Sequence, residues 1–387
     1  MLGISSIADN FVFYNLKNID YGYLHLIDSK GREYFFGDKD STLKANLKIN
    51  SPKFSLKLLT KGSSGLGESY INNEFQTNDL SSLIELSARN INAIYKFSGF
   101  LQLFSLNGFL NKNIFSNTKK RSKKNISLHY DLGNEFFSSF LDKTLTYSCG
   151  IFNSPDETLE KAQINKYNKL INLVKPKDGD KILEIGCGWG GFAEHLAKNY
   201  NVKIDCITIS KKQFLFTKER IRKSGLTNKV NVKMMDYRDV KNKYDIIVSI
   251  EMIEAVGEKY LNKYFNVIKK NLKFGGRGAI QAIIIKDELY NRYRNKEDFI
   301  QKYIFPGGFL PSLKSLNKLS EKSGLRIDDC KLYGSHYSNT LQKWRKSFLN
   351  SWGQISRQGF NLNFKKMWDF YFSYCDAGFK SKNINLV

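Results

Sequence analysis

The feature that most constrains the fold is a regular alternation of short apolar runs with amphipathic stretches after residue 180. The helical stretches between the runs include 211–226, whose pattern stops at Gly225. The predicted strands are 181–187, 203–210, 230–236, 244–253 and 277–286. Strands that alternate with helices of roughly 10–15 residues predict an α/β fold with a parallel, doubly wound, Rossmann-like sheet.

The N-terminal part has a different pattern, with alternating apolar residues at 21–28, 32–38 and 43–50. These runs predict short strands, and a helical stretch follows from Asp79, a candidate N-cap, to residue 110. Five of the six residues 119–124 are Lys or Arg. We therefore expect a smaller N-terminal α+β domain (1–116), a basic linker (117–125) and a catalytic domain (126–387).

Glycines follow the first strand of the alternating region at Gly186, Gly188 and Gly190. In doubly wound sheets, ligands bind beyond the carboxyl ends of the strands. Glycines let the backbone approach a ligand closely, and the next helix offers free N–H donors. Enzymes that bind NAD use similar turns, and ordinary turns also contain glycine, so this motif alone leaves the ligand open.

Residues around the glycines favour S-adenosylmethionine (SAM). Glu184 precedes the first glycine by two positions, which resembles the first motif of SAM-dependent methyltransferases. The second strand lacks the terminal acid that an NAD ribose requires. Polar residues at the ends of the second and third strands are then candidates for cofactor contacts, with the last two placed to meet an adenine edge: Thr208, Ser210, Gln213, Asp236 and Tyr237.

Composition indicates the cellular compartment and the kind of partner that we expect for the chain. The five cysteines show no paired spacing and the four histidines lie far apart, so we expect a reducing cytoplasm and no metal site. No apolar run approaches the about 20 residues of a membrane-spanning helix, and we read no signal peptide. The net charge of +24 indicates a polyanionic partner, either nucleic acid or an anionic membrane, unless it reflects compositional bias alone.

The C-terminal part strongly resembles the cyclopropane-fatty-acyl-phospholipid synthase family. The resemblance covers residues from about 125 to about 380. The matching segments are 129–152, 183–197, 207–213, 236–240, 249–260, 298–312 and 336–348. The first, fifth and sixth segments are more specific than the glycine motif, because general methyltransferases lack them. The N-terminal block resembles the smaller leading domain of long-form members.

The resemblance implies two groups of site residues. The implied SAM contacts fall on Tyr147, Ser148, Gly186, Gly188, Thr208, Gln213, Asp236 and Tyr237. Members of the family hold a bicarbonate ion beside the reacting alkene, and the matching positions are Cys149, Glu254, Gln281, Ile283 and Tyr337. Gln281 stands where the family has histidine, and glutamine cannot become charged. A methyl or methylene branch is therefore an alternative to the ring.

The implied function is SAM-dependent cyclopropanation of cis double bonds in unsaturated phospholipid acyl chains, through methyl transfer and proton loss to bicarbonate. We then expect a cytoplasmic protein that binds peripherally to the anionic surface of the inner membrane, and a homodimer is possible. The basic run 119–124 and the apolar-basic stretch 92–110 are the candidate docking surfaces. The alternatives are acyl methylation without ring closure and, from another class, a protein that binds or modifies nucleic acid, although no nucleic-acid recognition motif is found.

Overall fold

The computed structural model describes residues 2–91, 117–130 and 132–387. The stretch 92–110, predicted as a docking surface, lies outside the described residues. No helix within the described ranges is both long enough and apolar enough to span a bilayer.

The N-terminal elements build a small mixed sheet with helices. They are α1 (Leu2–Leu16), β1 (Tyr23–Ile27), β2 (Glu33–Gly37), β3 (Lys44–Ile49), α2 (Phe54–Lys61), α3 (Ser63–Ile71), β4 (Phe75–Gln76) and α4 (Leu80–Arg89). The strand order is β2-β1-β3-β4, with β1 and β3 parallel and the other pairs antiparallel. Asp79 caps α4 as predicted, because its Oδ1 accepts hydrogen bonds from the N–H groups of Ser81 and Ser82.

The second half of the chain carries the alternating elements. They begin with α5 (Lys119–Tyr130), α6 (Asn134–Ser138), α7 (Leu159–Val174), β5 (Lys181–Ile185), α8 (Gly191–Asn199), β6 (Lys203–Thr208), α9 (Lys211–Lys223), β7 (Val230–Met234), β8 (Tyr244–Ile250) and α10 (Leu261–Asn271). They end with β9 (Leu272–Gln281), β10 (Ile283–Ile285), α11 (Asp287–Tyr293), α12 (Leu313–Lys322), α13 (Gly334–Asn350), α14 (Trp352–Arg357), α15 (Leu362–Lys380) and β11 (Ile384–Leu386).

The central sheet confirms the predicted doubly wound fold. Its five strands run in the order β7-β6-β5-β8-β9, and every neighbouring pair is parallel. Its core includes Ile182, Val248 and the inward face of α8. The chain leaves β5 toward β6 on one side and later adds β8 on the other. The carboxyl end of β5 therefore lies at a topological switch point, where such sheets bind ligands.

The predicted single strand 277–286 is divided in the structure. β9 ends at Gln281, and the N–H of Ala282 donates to the carbonyl oxygen of Val387 at 2.8 Å. β10 then pairs antiparallel with β11 in a separate two-stranded sheet. Because β11 is distant in sequence, an apolar run alone could not reveal that the strand changes partner.

The chain forms two compact units whose segments are interleaved in sequence. One comprises Met1–Ile114, Arg292–Ile304 and Ser356–Asn383, and the other comprises Phe115–Asn291, Phe305–Ile355 and Ile384–Val387. In the first unit the hydroxyl of Tyr70 donates to Asp369 Oδ2 at 2.7 Å. The predicted limits had placed 292–304 and 356–383 in the catalytic domain. The predicted linker 117–125 instead overlaps helix α5. Sequence patterns report local structure, whereas long-range packing decides which segments share a core.

Candidate active site

A pocket of about 1100 Å³, open solvent at its mouth included, lies at the carboxyl ends of β5, β6, β7 and β8. Nine of the eleven residues predicted to contact the cofactor line this pocket. They are Tyr147, Ser148, Glu184, Gly186, Gly188, Thr208, Gln213, Asp236 and Tyr237. The sequence therefore predicted residues that the fold brings together from four separate segments.

The turn after β5 forms an open backbone cradle. Gly186 and Gly188 have φ angles of 82° and 52°, which favour glycine. The N–H groups of Gly186 and Cys187 donate to the carbonyl oxygen of Ile207 on β6 at 3.0 and 3.1 Å. Of the atoms in the described parts of the chain, none beyond its chain neighbours would lie within 4 Å of a Cβ atom added at Gly188. This backbone therefore leaves room for a ligand next to the start of α8, so the cradle fits SAM.

Gly190 and Ser210, the other two predicted cofactor residues, do not line the pocket. Gly190 has a φ of 81°, and a Cβ atom there would lie 2.6 Å from Thr217 Cγ2. Ser210 caps α9, because its Oγ accepts a hydrogen bond from the N–H of Gln213 at 3.3 Å. Both positions support the turns behind the pocket.

Asp236 is held by Arg238, which the sequence analysis missed. The guanidinium donates from Nε to Oδ1 at 2.8 Å and from Nη2 to Oδ2 at 2.6 Å. Although burial raises the pKa of Asp236, these hydrogen bonds outweigh it and hold the pKa below its usual value. Asp236 is therefore a fixed anion on the pocket wall. A carboxylate can accept further hydrogen bonds beyond these two.

Glu251, at the end of β8, is the centre of a hydrogen-bond network that the sequence analysis did not predict. Its Oε1 accepts from the backbone N–H of Cys149 at 2.9 Å and from Gln281 Nε2 at 2.7 Å. Its Oε2 accepts from the hydroxyl of Tyr337 at 2.5 Å. Glu251 also lines the pocket and has a φ of 47°, unusual for a residue other than glycine. That φ angle is a structural signal which a sequence pattern does not contain.

The donors predicted to hold bicarbonate are thus bound to a carboxylate of the chain itself. Cys149, Gln281 and Tyr337 converge on Glu251. A separate anion does not fit among them, because its oxygens would need the same three donors and would meet a like charge. The bound bicarbonate ion therefore stays a prediction that these contacts do not support.

Glu254 and Ile283 form the remaining part of the predicted group. Glu254 Oε1 accepts from the backbone N–H of Ile283 at 2.5 Å, while Oε2 is buried and has no hydrogen-bond partner among the described residues. Burial and the adjacent carboxylate of Glu251 raise the pKa of Glu254 to about 8. Glu254 is therefore protonated at neutral pH.

Lys166 is a buried cation that the sequence analysis also missed. Its Nζ donates to Ser148 Oγ at 2.6 Å, and burial lowers its pKa to about 8. The inward spacing of Lys166 with Ala162, Gln163 and Leu170 on α7 is the signal that could have identified it. Burial likewise raises the pKa of Glu184 to about 8. The pocket thus lies beside several buried titratable groups with shifted pKa values, which is typical of catalytic sites.

Cys149 takes part through its backbone. Burial raises the pKa of its thiol well above the usual value, so the thiolate needed for nucleophilic attack does not form. Its Sγ donates to the carbonyl oxygen of Gly150 at 3.1 Å.

The sheet order, the glycine cradle at the switch point and the polar residues at successive strand ends define the class. The chain is a SAM-dependent methyltransferase, as the sequence predicted. A family described as mycolic acid cyclopropane synthetase matches residues 117–387. The chain belongs to this family, which confirms the predicted resemblance to cyclopropane-fatty-acyl-phospholipid synthases.

Individual relatives support the assignment. The chain is 35% identical to the cyclopropane-fatty-acyl-phospholipid synthase of Escherichia coli (strain K12), over 88% of this chain and 86% of that one. It is 34% identical to tuberculostearic acid methyltransferase UfaA1 of Mycobacterium tuberculosis, over 82% and 76% of the two chains. Among solved structures, mycolic acid cyclopropane synthase CmaA1 complexed with SAH and CTAB matches with a TM-score of 0.62 and 26% identity, covering 68% of this chain and 95% of that one.

Proposed function

We propose that the protein transfers the methyl group of SAM to a cis double bond of an unsaturated phospholipid acyl chain and closes the product to a cyclopropane ring. The observation that carries this proposal is the Glu251 network on the wall of the pocket formed by the glycine cradle. Methyl transfer leaves a cation on the acyl chain, and its conversion to a ring requires a group that removes a proton from the transferred methyl group. A fixed carboxylate beside the cofactor cradle provides such a group.

When bound, SAM supplies an electrophilic methyl group, so the protein needs no activated nucleophile. The chain's own residues must align the reacting atoms and exclude water, and such positioning can contribute about 7–11 kcal/mol. The raised pKa of the Cys149 thiol is consistent with chemistry that requires no covalent intermediate. A positive charge on the acyl chain would be stabilised by nearby aromatic faces and a fixed anion.

An aromatic cluster next to the pocket supports the requirement for a dry site. The ring of Tyr147, which lines the pocket, lies 5.3 Å from that of Phe137 and 5.2 Å from that of Trp344. Phe136, Phe137 and Trp344 are fully buried. These residues pack as a core around Tyr147 and separate the site from bulk water on that side.

Binding at a membrane surface is part of the proposal, because the acyl substrate resides in a bilayer. Lys123 and Lys124 on α5 are exposed, and the chain carries a net charge of +24. Basic side chains near an anionic leaflet contribute about 1 kcal/mol each. If α5 docks on the membrane, the compact unit that contains the pocket would reach lipid without a membrane-spanning helix.

The test is to incubate the purified protein with methyl-labelled SAM and vesicles that contain cis-unsaturated phospholipid. We expect label in the acyl chain and the upfield NMR signals of cyclopropane protons. NMR is required because a ring and an exomethylene branch have the same mass. No label in lipid, with intact cofactor binding, would refute the proposal.

Methylation without ring closure is a second candidate, favoured by the similarity to UfaA1, whose name describes a methyltransferase. It predicts a methylene branch, formed by proton loss, in the same experiment; a saturated methyl branch would require an added hydride donor. Labelled lipid without cyclopropane signals would favour this candidate.

A further inference from the structure

The position of Glu251 suggests a role that the family resemblance did not imply. Three donors from three separate segments, Cys149 N–H, Gln281 Nε2 and Tyr337 O–H, point at one carboxylate. The carboxylate of Glu251 has the trigonal shape and the oxygens of bicarbonate, and both can accept a proton. The donors predicted to bind bicarbonate therefore bind the Glu251 carboxylate instead.

The hydrogen bonds around the network decide which carboxylate is ionised. Burial outweighs the hydrogen bond from Tyr337 and the cation of Lys166, so the pKa of Glu251 is raised from its usual value. Among the described residues, Ile283 N–H alone donates a hydrogen bond to Glu254, and Glu254 Oε2 has no partner. Two neighbouring buried carboxylates share a proton rather than both ionise. Glu251 accepts three hydrogen bonds and Glu254 accepts one, so Glu251 is the anion and Glu254 holds the proton.

The backbone at Glu251 is consistent with a functional position. Its φ of 47° lies in the left-handed region, which residues other than glycine seldom adopt, and strained residues of this kind cluster at active sites. Glu251 also lines the pocket, so it lies beside the cofactor cradle. Glutamine at position 281, where the family has histidine, also supports a functional role for Glu251. The amide of Gln281 donates to Glu251 and cannot itself become charged.

We propose that Glu251 is the catalytic base and that the enzyme needs no bicarbonate; this rests on the proposed ring-forming function. In the step before, the alkene π pair forms the bond to the methyl carbon, and the C–S pair stays on sulfur as S-adenosylhomocysteine forms. A C–H bond of the new methyl group then breaks. Its electron pair closes the ring at the cationic carbon, and the proton goes to the Glu251 carboxylate, which later releases it to solvent.

Two substitutions test this role. Glu251→Gly removes the carboxylate at a φ angle that suits glycine and leaves its donors free for an added ion. Glu251→Gln keeps the shape but cannot act as the base. Glu288→Gln, on the exposed side chain of α11, is the matched control. Turnover is measured in carbon-dioxide-free buffer with and without added bicarbonate, and ¹³C-bicarbonate binding is measured by NMR on each protein.

We expect wild type and Glu288→Gln to be insensitive to bicarbonate and not to bind it. Both Glu251 variants should lose at least about 100-fold in turnover without bicarbonate, the scale of a general base. Added bicarbonate should restore Glu251→Gly to within about tenfold of wild type and should bind to it, since it would resume the role of base. It should leave Glu251→Gln inactive.

Bicarbonate-dependent turnover of the wild type would overturn this inference while the proposed function stands. Full activity of Glu251→Gln, or a folded Glu251→Gly that does not bind bicarbonate, would also overturn it. If no protein in the series modifies lipid, the proposed function fails. The NMR binding measurement then still decides whether Glu251 occupies the place of the ion.

Discussion

The ammonium group of Lys166 donates a 2.6 Å hydrogen bond to the hydroxyl of Ser148 at a position with no exposure to solvent. Ser148 precedes Cys149, whose N–H binds Glu251, so one short segment connects the buried cation to the proposed base. Lys166 also lowers the pKa of Glu251 electrostatically. This cation therefore helps to keep the base ionised.

Lys166→Met should move the pH profile of turnover. Methionine fills a similar volume, so the variant should fold. Loss of the cation raises the pKa of Glu251, and the hydrogen bonds from Tyr337, Cys149 N–H and Gln281 remain to oppose the effect of burial. The acidic limb of kcat/KM should then shift to higher pH, with lower activity at neutral pH and partial recovery in mild alkali. A uniform loss at every pH would contradict this account.

Gly188→Ala should weaken cofactor binding specifically. The added methyl group would project into the open space of the cradle, and we expect at least a tenfold higher Kd for S-adenosylhomocysteine, or about 1.4 kcal/mol. Gly179→Ala is the matched control, because Gly179 has a φ of 84° and also has free space around it. Both variants should lose about 1–2 kcal/mol of stability.

Calorimetric titration separates these two effects. Only Gly188→Ala should change the Kd, although both variants unfold at lower temperature. Equal Kd values for both variants would show that Gly188 does not face the bound cofactor.

Glu254→Gln should make the protein more stable at alkaline pH. The pKa of Glu254 in the folded protein is about 8, above the ordinary value of 4.5. Between these values the folded state holds a proton that the unfolded state has lost, so this group lowers stability as the pH rises. Glutamine keeps a carbonyl oxygen for Ile283 N–H and cannot ionise.

The measurement is the melting temperature of Glu254→Gln and wild type across the range from about pH 5 to about pH 9. The difference between the two proteins should grow with pH. Glu288→Gln should stay parallel to wild type throughout. A constant difference between Glu254→Gln and wild type would contradict the raised pKa.

Lys123→Glu with Lys124→Glu should weaken binding to anionic vesicles. Both side chains are exposed on α5, and about 1 kcal/mol of attraction per lysine is replaced by repulsion. The pair Lys318→Glu with Lys322→Glu on α12 changes the net charge equally and serves as the control. Vesicle co-sedimentation at increasing salt should show a larger loss for the α5 pair. Equal losses would indicate a response to net charge alone.

The sequence predicted the parts of the site that follow from local pattern. Strand ends, the glycine turn and polar residues at successive strand ends define the cofactor pocket, and the sheet brings them together as expected. Glu251 and Glu254 lie in the same short stretch, and the family resemblance selected Glu254. Which of the two carboxylates meets the three donors depends on the left-handed backbone at Glu251 and on the 3₁₀ turn Ile253–Ala255. Both features depend on tertiary packing.

Lys166 and the division of the strand after Gln281 were missed for a related reason. A lysine on an amphipathic helix is ordinarily assigned to the exposed face. Its burial here depends on Ser148, eighteen positions away. The end of β9 likewise depends on β11 about a hundred residues later. Contacts at such separations leave little trace in a local sequence pattern.

The left-handed backbone at Glu251 also has an evolutionary consequence. Glycine adopts this conformation without strain, and glutamate and glycine codons differ at a single middle base. With Glu251 as the proposed base, one point mutation to glycine would replace its carboxylate with bicarbonate, which forms from dissolved carbon dioxide. Relatives with glycine at this position would then need dissolved carbon dioxide for lipid modification, whereas relatives with glutamate would not.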